Sequence, residues 1–240
     1  MLLENERLDD LHRKNYKIIQ NNEFFCFGID AVLLSSFAKA KKQSKILDLC
    51  TGNAIVPILL KGKYDTEEIA AIEIQDAIYS MAKRSVEYNS LGNVIDVIHD
   101  NINNYSKYYN HGYFDIVTVN PPYMANRGKE SMSKEKAIAR HEITCDLNLV
   151  LKVSSSALKY GGKFYMVHRP DRLADILCTM REYKIEPKTL QFVVPHQNKP
   201  PNIVLVEGIK GGKSSVNVLP NLIVYDGDKY TQEVYKMYYE

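Results

Sequence analysis

Short apolar runs alternate with longer amphipathic stretches along most of this chain, the pattern of a layered α/β fold. Lys45-Ile46-Leu47-Asp48-Leu49 reads as a buried strand. Residues 69–73, 94–98, 114–119 and 163–168 read the same way. Helices fit between them. One covers 54–60, with Pro57 tolerated because it falls in the first turn. A second starts at Asp76 and turns Ile78, Met81, Ala82 and Val86 to one side. A third starts at Asp146, runs through Leu147, Leu149, Val150 and Val153, and is ended by Gly161-Gly162. A fourth covers 172–183. Residues 190–194 and 203–209 read as two closing strands joined by the proline-rich stretch 196–201. Two segments stand apart. Residues 1–44 are a polar lead with a helix at 30–40, and residues 124–145 are a polar insertion. The reading is one domain over 1–240, with a cap segment at 1–44 and a core at 45–240.

Composition narrows the picture only slightly. A chain of 240 residues suffices for one large α/β domain. Its 31 basic and 29 acidic residues nearly cancel. Net charge therefore neither demands nor excludes a nucleic acid; a local patch decides. Cys26, Cys50, Cys145 and Cys178 are far apart and form no Cys/His cluster, so no metal is expected. No apolar run can span a bilayer. The first seven residues are charged at once and lack the apolar core of a signal peptide. The expected setting is a reducing cytoplasm, without membrane association. Trp is absent and Tyr abundant; the tyrosines from 225 to 239 read as packing residues with polar tips.

Candidate chemistry changes the picture most. Asn120-Pro121-Pro122-Tyr123 directly follows the apolar run 114–119. Asn120 offers a carboxamide oxygen. Pro121 has a carbonyl but no N–H, so the turn presents acceptors without a competing donor. Tyr123 supplies a flat face for stacking. Such a turn suits a planar NH₂ group whose lone pair must be aimed at an electrophile. Upstream, the first strand runs into a turn at Gly52, where backbone can approach a ligand closely. The dinucleotide fingerprint needs glycine at three places that Cys50, Gly52 and Ile55 occupy here, so a pyrophosphate cradle is disfavoured. S-adenosylmethionine has no phosphate and needs other contacts. Asp48 is placed to meet its ammonium side, directly or through water. Glu73, at the end of the second strand, is placed for ribose hydroxyls. Asp100 and its neighbour Asn101, after the third strand, are placed for the adenine amine.

These residues resemble a class I S-adenosylmethionine-dependent methyltransferase of the amino-methylating group. The resemblance extends to the bacterial valine-tRNA adenine-N6 methyltransferase family. It is carried by Phe27-Gly28-Ile29-Asp30-Ala31-Val32-Leu33-Leu34, Asp48-Leu49-Cys50-Thr51-Gly52-Asn53, Ile72-Glu73-Ile74-Gln75, Asn120-Pro121-Pro122-Tyr123 and Arg140-His141-Glu142. The segment from Lys199 to Glu207 and Lys210-Gly211-Gly212-Lys213 also fit. The resemblance implies a Rossmann-like, seven-stranded, mostly parallel sheet with one antiparallel strand near its edge. It implies methyl transfer to N6 of the adenine beside the anticodon of valine tRNA. The cofactor-side candidates are Phe27, Asp30, Asp48, Cys50, Gly52, Asn53, Glu73, Ile74, Asp100, Asn101 and Asn120. Asn120, Pro121 and Tyr123 are the catalytic candidates. The chain departs from the pattern at Ala54, where a third glycine is common. Its Cβ requires a negative φ or strain.

Arg127, Lys129, Lys134, Lys136 and Arg140 crowd the polar insertion and are candidates for phosphate contact, as are Lys199, Lys210 and Lys213. His141 has no role as a base in this chemistry. Alternatives remain. A glutamine amide presents the same planar NH₂, but a protein glutamine methyltransferase calls for a dedicated amino-terminal module, for which residues 1–44 are short. Adenine in ribosomal RNA or DNA is a second alternative. A catalytically idle, cofactor-binding RNA module is a third.

Overall fold

A computed structural model describes residues 2–23, 26–122 and 146–239. Its centre is a sheet built from β3 (Lys45–Leu49), β4 (Glu68–Glu73), β5 (Ile95–His99), β6 (Phe114–Val119), β7 (Leu158–His168), β8 (Ile185–Val194) and β9 (Ile203–Lys210). The spatial order is β5-β4-β3-β6-β7-β9-β8. Strands β5 to β7 run parallel. Strand β9 runs antiparallel to both β7 and β8. Short β10 (Asn217–Val218) and β11 (Leu222–Ile223) pair with β8 and bring the sheet to nine strands.

Both faces are covered, which is why the strands read as continuous apolar runs. Ile46, Ile116, Tyr165 and Val167 face one layer of the core. It contains α1 (Ile29–Phe37), α2 (Ile55–Tyr64) and α3 (Asp76–Tyr88). Leu47, Leu49, Val117 and Phe164 face the other, with α4 (Leu147–Ala157) and α5 (Leu173–Glu182). A last helix, α6 (Gln232–Tyr239), follows the sheet.

Two expectations need correction. Residues 1–44 are more than a polar lead with a helix. They form a hairpin, β1 (Glu6–Asp10) and β2 (Lys17–Asn21), ahead of α1. The hairpin docks on α3. Ser85 Oγ accepts from the Ile19 N–H at 3.1 Å, and Asn89 Oδ1 from the Lys17 N–H at 2.8 Å. The Arg84 guanidinium grips both Glu6 oxygens at 2.6 Å. Second, Gly161-Gly162 does not end a helix. Helix α4 stops at Ala157, and Leu158 already pairs with Phe114. The register then shifts, so that Lys163 opposes Ile116. The glycines build that irregularity. Gly161 has φ +78°, and a Cβ on Gly162 would lie 2.8 Å from the Lys159 carbonyl oxygen.

Among the described residues, no helix is long and apolar enough to cross a membrane. No cluster of three or more His, Cys, Asp or Glu side chains is placed to hold a metal ion there.

Candidate functional site

Strand order reverses at β3. The chain goes from β3 to β4 and β5 on one side, then crosses to β6 and β7 on the other. Such a switch point opens a crevice at the carboxyl ends of the strands. The ends are in register: Leu49 pairs with Ile72 and Val119, and Val119 with Met166. The next residues, Cys50, Glu73 and Asn120, therefore emerge on one rim. With neighbouring strands ~4.8 Å apart, the Glu73 and Asn120 backbones flank the β3 turn at roughly 10 Å.

The turn from 50 to 54 is left-handed at every second residue: Cys50 has φ 55°, Gly52 60° and Ala54 69°. For a non-glycine residue this costs about 1–2 kcal/mol. Ala54 thus takes the strained alternative, and Cys50 does the same. Hydrogen bonds hold the loop there. Thr51 N–H donates to the Ile72 carbonyl at 3.0 Å, and Gly52 N–H to Glu73 Oε2 at 2.9 Å. At Gly52 the direction a Cβ would take is open, with nothing within 4 Å. That space suits a ligand approaching the backbone.

The acids do not all face that space. Asp48 is 1% exposed. Its oxygens accept from Thr118 Oγ1 at 2.5 Å and Thr51 Oγ1 at 2.6 Å. Burial pushes its carboxyl up to about 7, the threonine bonds oppose that, and the Glu73 charge adds to it. Asp48 therefore ties β3 to β6 and to the turn, instead of meeting a ligand in the open. Asn53 is also buried, its amide donating to the Ile19 carbonyl at 3.1 Å. Glu73 puts its second oxygen on the Gln75 N–H at 2.9 Å. Asp100 accepts from the Asn104 amide and the Asn101 N–H, both at 2.7 Å, and from the Tyr108 hydroxyl at 2.9 Å. Those bonds, with Asn104 foremost, bring its carboxyl down to about 2. Asn101 caps the short 3₁₀ turn that follows, accepting from the Asn103 N–H.

Two groups on the rim stay available. Ile74 is 37% exposed, an apolar surface beside Glu73. No hydrogen bond to a described residue occupies the half-buried Asn120 carboxamide. Pro121 is buried and Pro122 exposed. Asp30, in the first turn of α1, has its pKa raised by burial, with Arg169 at the end of β7 opposing. Phe27 goes elsewhere. It lines a cavity with Leu8, Val32 and Leu59, to which no residue of the 50–54 turn contributes.

Sequence reasoning missed Thr51, Thr118 and His99. Thr118 was findable, as the lone polar residue in the apolar half of β6 and the register partner of Asp48. His99 Nε2 lies 3.1 Å from the Ile74 carbonyl oxygen, and its ring stacks on Tyr79. No linear pattern announces that pair.

The basic candidates separate. Lys199 is exposed in the β8–β9 turn, on the same rim as Asn120. Lys210 and Lys213 belong to the opposite edge. Lys210 Nζ donates to the Leu158 carbonyl at 2.8 Å, at the start of β7, and the Lys213 carbonyl accepts from Lys188. Strand β9 spans roughly 25 Å, so neither reaches the rim. Tyr123, Arg127, Lys129, Lys134, Lys136, Arg140 and His141 lie outside the described residues.

Residues 17–182 match the methyltransferase small domain family. The chain belongs to that family. Curated relatives carry the name tRNA1(Val) (adenine(37)-N6)-methyltransferase. One from Histophilus somni is 26% identical over 155 residues, 64% of this chain and 65% of its own. One from Pedobacter heparinus is 23% identical over 224 residues, 93% of each chain. Among solved structures, a predicted O-methyltransferase from Agrobacterium tumefaciens shares the fold at TM-score 0.71 and 18% identity, over 87% of this chain and 94% of that one. A geranyl diphosphate C-methyltransferase from Streptomyces coelicolor does so at 0.55 and 11%, over 75% and 78%.

Proposed function

We propose that this family member transfers a methyl group from S-adenosylmethionine to N6 of an adenine in tRNA, with adenine 37 of valine tRNA as the target. It does so as one domain over residues 1–240. The observation that carries this reading is the Asn120-Pro121-Pro122 turn at the carboxyl end of β6, across the switch point from the strained 50–54 turn. The names of the relatives supply the RNA and the position.

The residues present fit the cofactor. Gly52 leaves room for close approach, Glu73 holds the turn and can bond ribose hydroxyls, Ile74 offers an apolar flank, and Asp100 with Asn101 borders the adenine side. The cofactor supplies an activated methyl on a sulfonium. Asn120 Oδ1 and the Pro121 carbonyl accept the two N6 hydrogens and aim the amine lone pair. Tyr123 stacks on the base, and a stacked base is worth roughly 1–3 kcal/mol. An anticodon loop offers a base that leaves its stack at little cost. No strong base is needed, because the amine becomes acidic only as it is alkylated. Catalysis is then mainly orientation.

The direct test is methylation of total unmodified tRNA with labelled cofactor, followed by nucleoside analysis. Label is expected in N6-methyladenosine of one tRNA. Label in protein would overturn the reading in favour of a glutamine substrate. Asn120→Ala should lower turnover by about 100-fold while cofactor binding persists. Near-normal turnover would sink the role given to Asn120.

A further inference from the structure

Between the end of β4 and the first turn of α3, the chain crosses the rim as Glu73-Ile74-Gln75. Two of these residues have their carbonyls tied by the elements on either side. The Glu73 carbonyl takes the Asp100 N–H at 3.2 Å, which closes the pairing with β5. The Gln75 carbonyl takes the Tyr79 N–H at 2.8 Å, the first bond of α3. The Ile74 carbonyl falls between sheet and helix, and no backbone N–H of a described residue bonds it. A backbone acceptor left over at such a join needs a side chain or water. Here a side chain serves: His99 Nε2 lies 3.1 Å away. A carbonyl only accepts, so Nε2 carries the proton.

The donor is held before it bonds. His99 is the last residue of β5 and the register partner of Glu73, so the sheet sets its backbone. Its ring lies flat on Tyr79, with centroids 4.9 Å and planes 13° apart, so α3 sets its side chain. The other ring nitrogen is not gripped in this way. The Asp76 carboxylate is 3.7 Å from Nδ1, too far for a hydrogen bond, and its side chain is 89% exposed. The ring is thus committed to the Ile74 carbonyl. Fixing that carbonyl fixes the planar peptide unit from 74 to 75. With it goes the direction of Ile74, whose side chain is the apolar surface on the rim beside Glu73. Glu73 in turn holds the Gly52 N–H, so the flank and the 50–54 turn are set by neighbouring residues.

Building on the cofactor reading above, we propose that His99 is a positioning residue for the adenosine half of S-adenosylmethionine, acting through the Ile74 carbonyl to hold the apolar flank against the adenine. Calorimetry on the full chain tests this with two ligands, S-adenosylhomocysteine and 5′-methylthioadenosine, which lacks the amino-acid part. His99→Phe keeps a ring for Tyr79 but removes the donor, and His99→Gln restores an N–H of similar reach. His99→Phe should weaken both ligands about tenfold, and His99→Gln should return both to within about threefold of wild type. In tRNA methylation, His99→Phe should raise KM for the cofactor and leave kcat near wild type, the reverse of Asn120→Ala. Imidazole nitrogen NMR of the wild-type chain gives a check that needs no variant: the neutral His99 ring should be the Nε2–H tautomer, and its signals should move when 5′-methylthioadenosine binds. An Nδ1–H tautomer overturns the role. So do unchanged affinities in His99→Phe, with or without a shift in its urea midpoint, or a His99→Gln as weak as His99→Phe. Loss of S-adenosylhomocysteine affinity alone, with 5′-methylthioadenosine bound normally, overturns it in favour of the methionine side. Each of these leaves methyl transfer standing if the wild type labels tRNA. Label in protein, with the His99 pattern as expected, removes the tRNA substrate and keeps the positioning role. A wild type that binds neither ligand overturns both.

Discussion

At the scale of single residues, Asp48 and Asp100 pull stability in opposite directions with pH. Asp48 has its pKa raised from 3.8 to about 7 by burial. Between those values the folded state binds more protons than the unfolded state, so stability falls as pH rises from about 4 to 7 and is flat above. At about 1.4 kcal/mol per unit, the effect is on the order of a few kcal/mol. Asp48→Asn should remove that slope, read as urea midpoints at several pH values from 4 to 8; an unchanged slope would place the titration elsewhere. Asp100 is the reverse case. Its pKa is lowered from 3.8 to about 2, so its contribution is present above about 4 and disappears as pH falls towards 2. Both acids were legible as strand-end residues beside a glycine turn. Their duties were not, because a carboxylate's partners are set by neighbours distant in sequence: Thr118 is 70 residues from Asp48. Ala54 was legible as a conflict, and the positive φ resolves it as strain tolerated in a loop that five donors and acceptors pin.

At the scale of elements, the hairpin is held to α3 by a largely buried ion pair as well as by Ile19, which packs with Ile78 and Met81. Glu6 has a side chain 4% exposed and meets Arg84, 19% exposed, through two bonds. Breaking a fully buried pair costs about 3–5 kcal/mol. Arg84 reaches water, so Glu6→Ala should cost somewhat less, roughly 1–3 kcal/mol by the same reasoning. The loss should appear as faster tryptic cleavage at Arg13, Lys14 and Lys17, while the sheet resists. Equal cleavage rates in both proteins would mean the hairpin docks without the pair. The same element shows where sequence reading runs out. The core strands announced themselves because both faces are covered. Strand β1 is Glu6-Arg7-Leu8-Asp9-Asp10, with one apolar residue, and its place comes from α3. The start of β7 was hidden for another reason: paired glycines serve a strand irregularity as readily as a helix end, and only the register with β6 decides.

At the scale of the whole molecule, sheet direction sorts the basic residues. Because β9 runs backwards, its beginning shares the rim with Asn120 and its end lies across the molecule. Lys199→Ala should therefore weaken tRNA binding and reduce the salt slope by about one unit, whereas Lys210→Ala should leave both unchanged. Equal slopes for the two variants would remove Lys199 from the interface. One residue also joins the amino-terminal segment to the switch point. The Ile19 amide bonds Ser85 on α3, and its carbonyl takes the Asn53 amide from the 50–54 turn. Order in the hairpin and order in the turn are thereby linked. A ligand that fixes the turn suppresses opening of the hairpin, by the same free energy with which a docked hairpin favours that ligand. The segment ahead of the sheet is thus part of the foundation of the 50–54 turn.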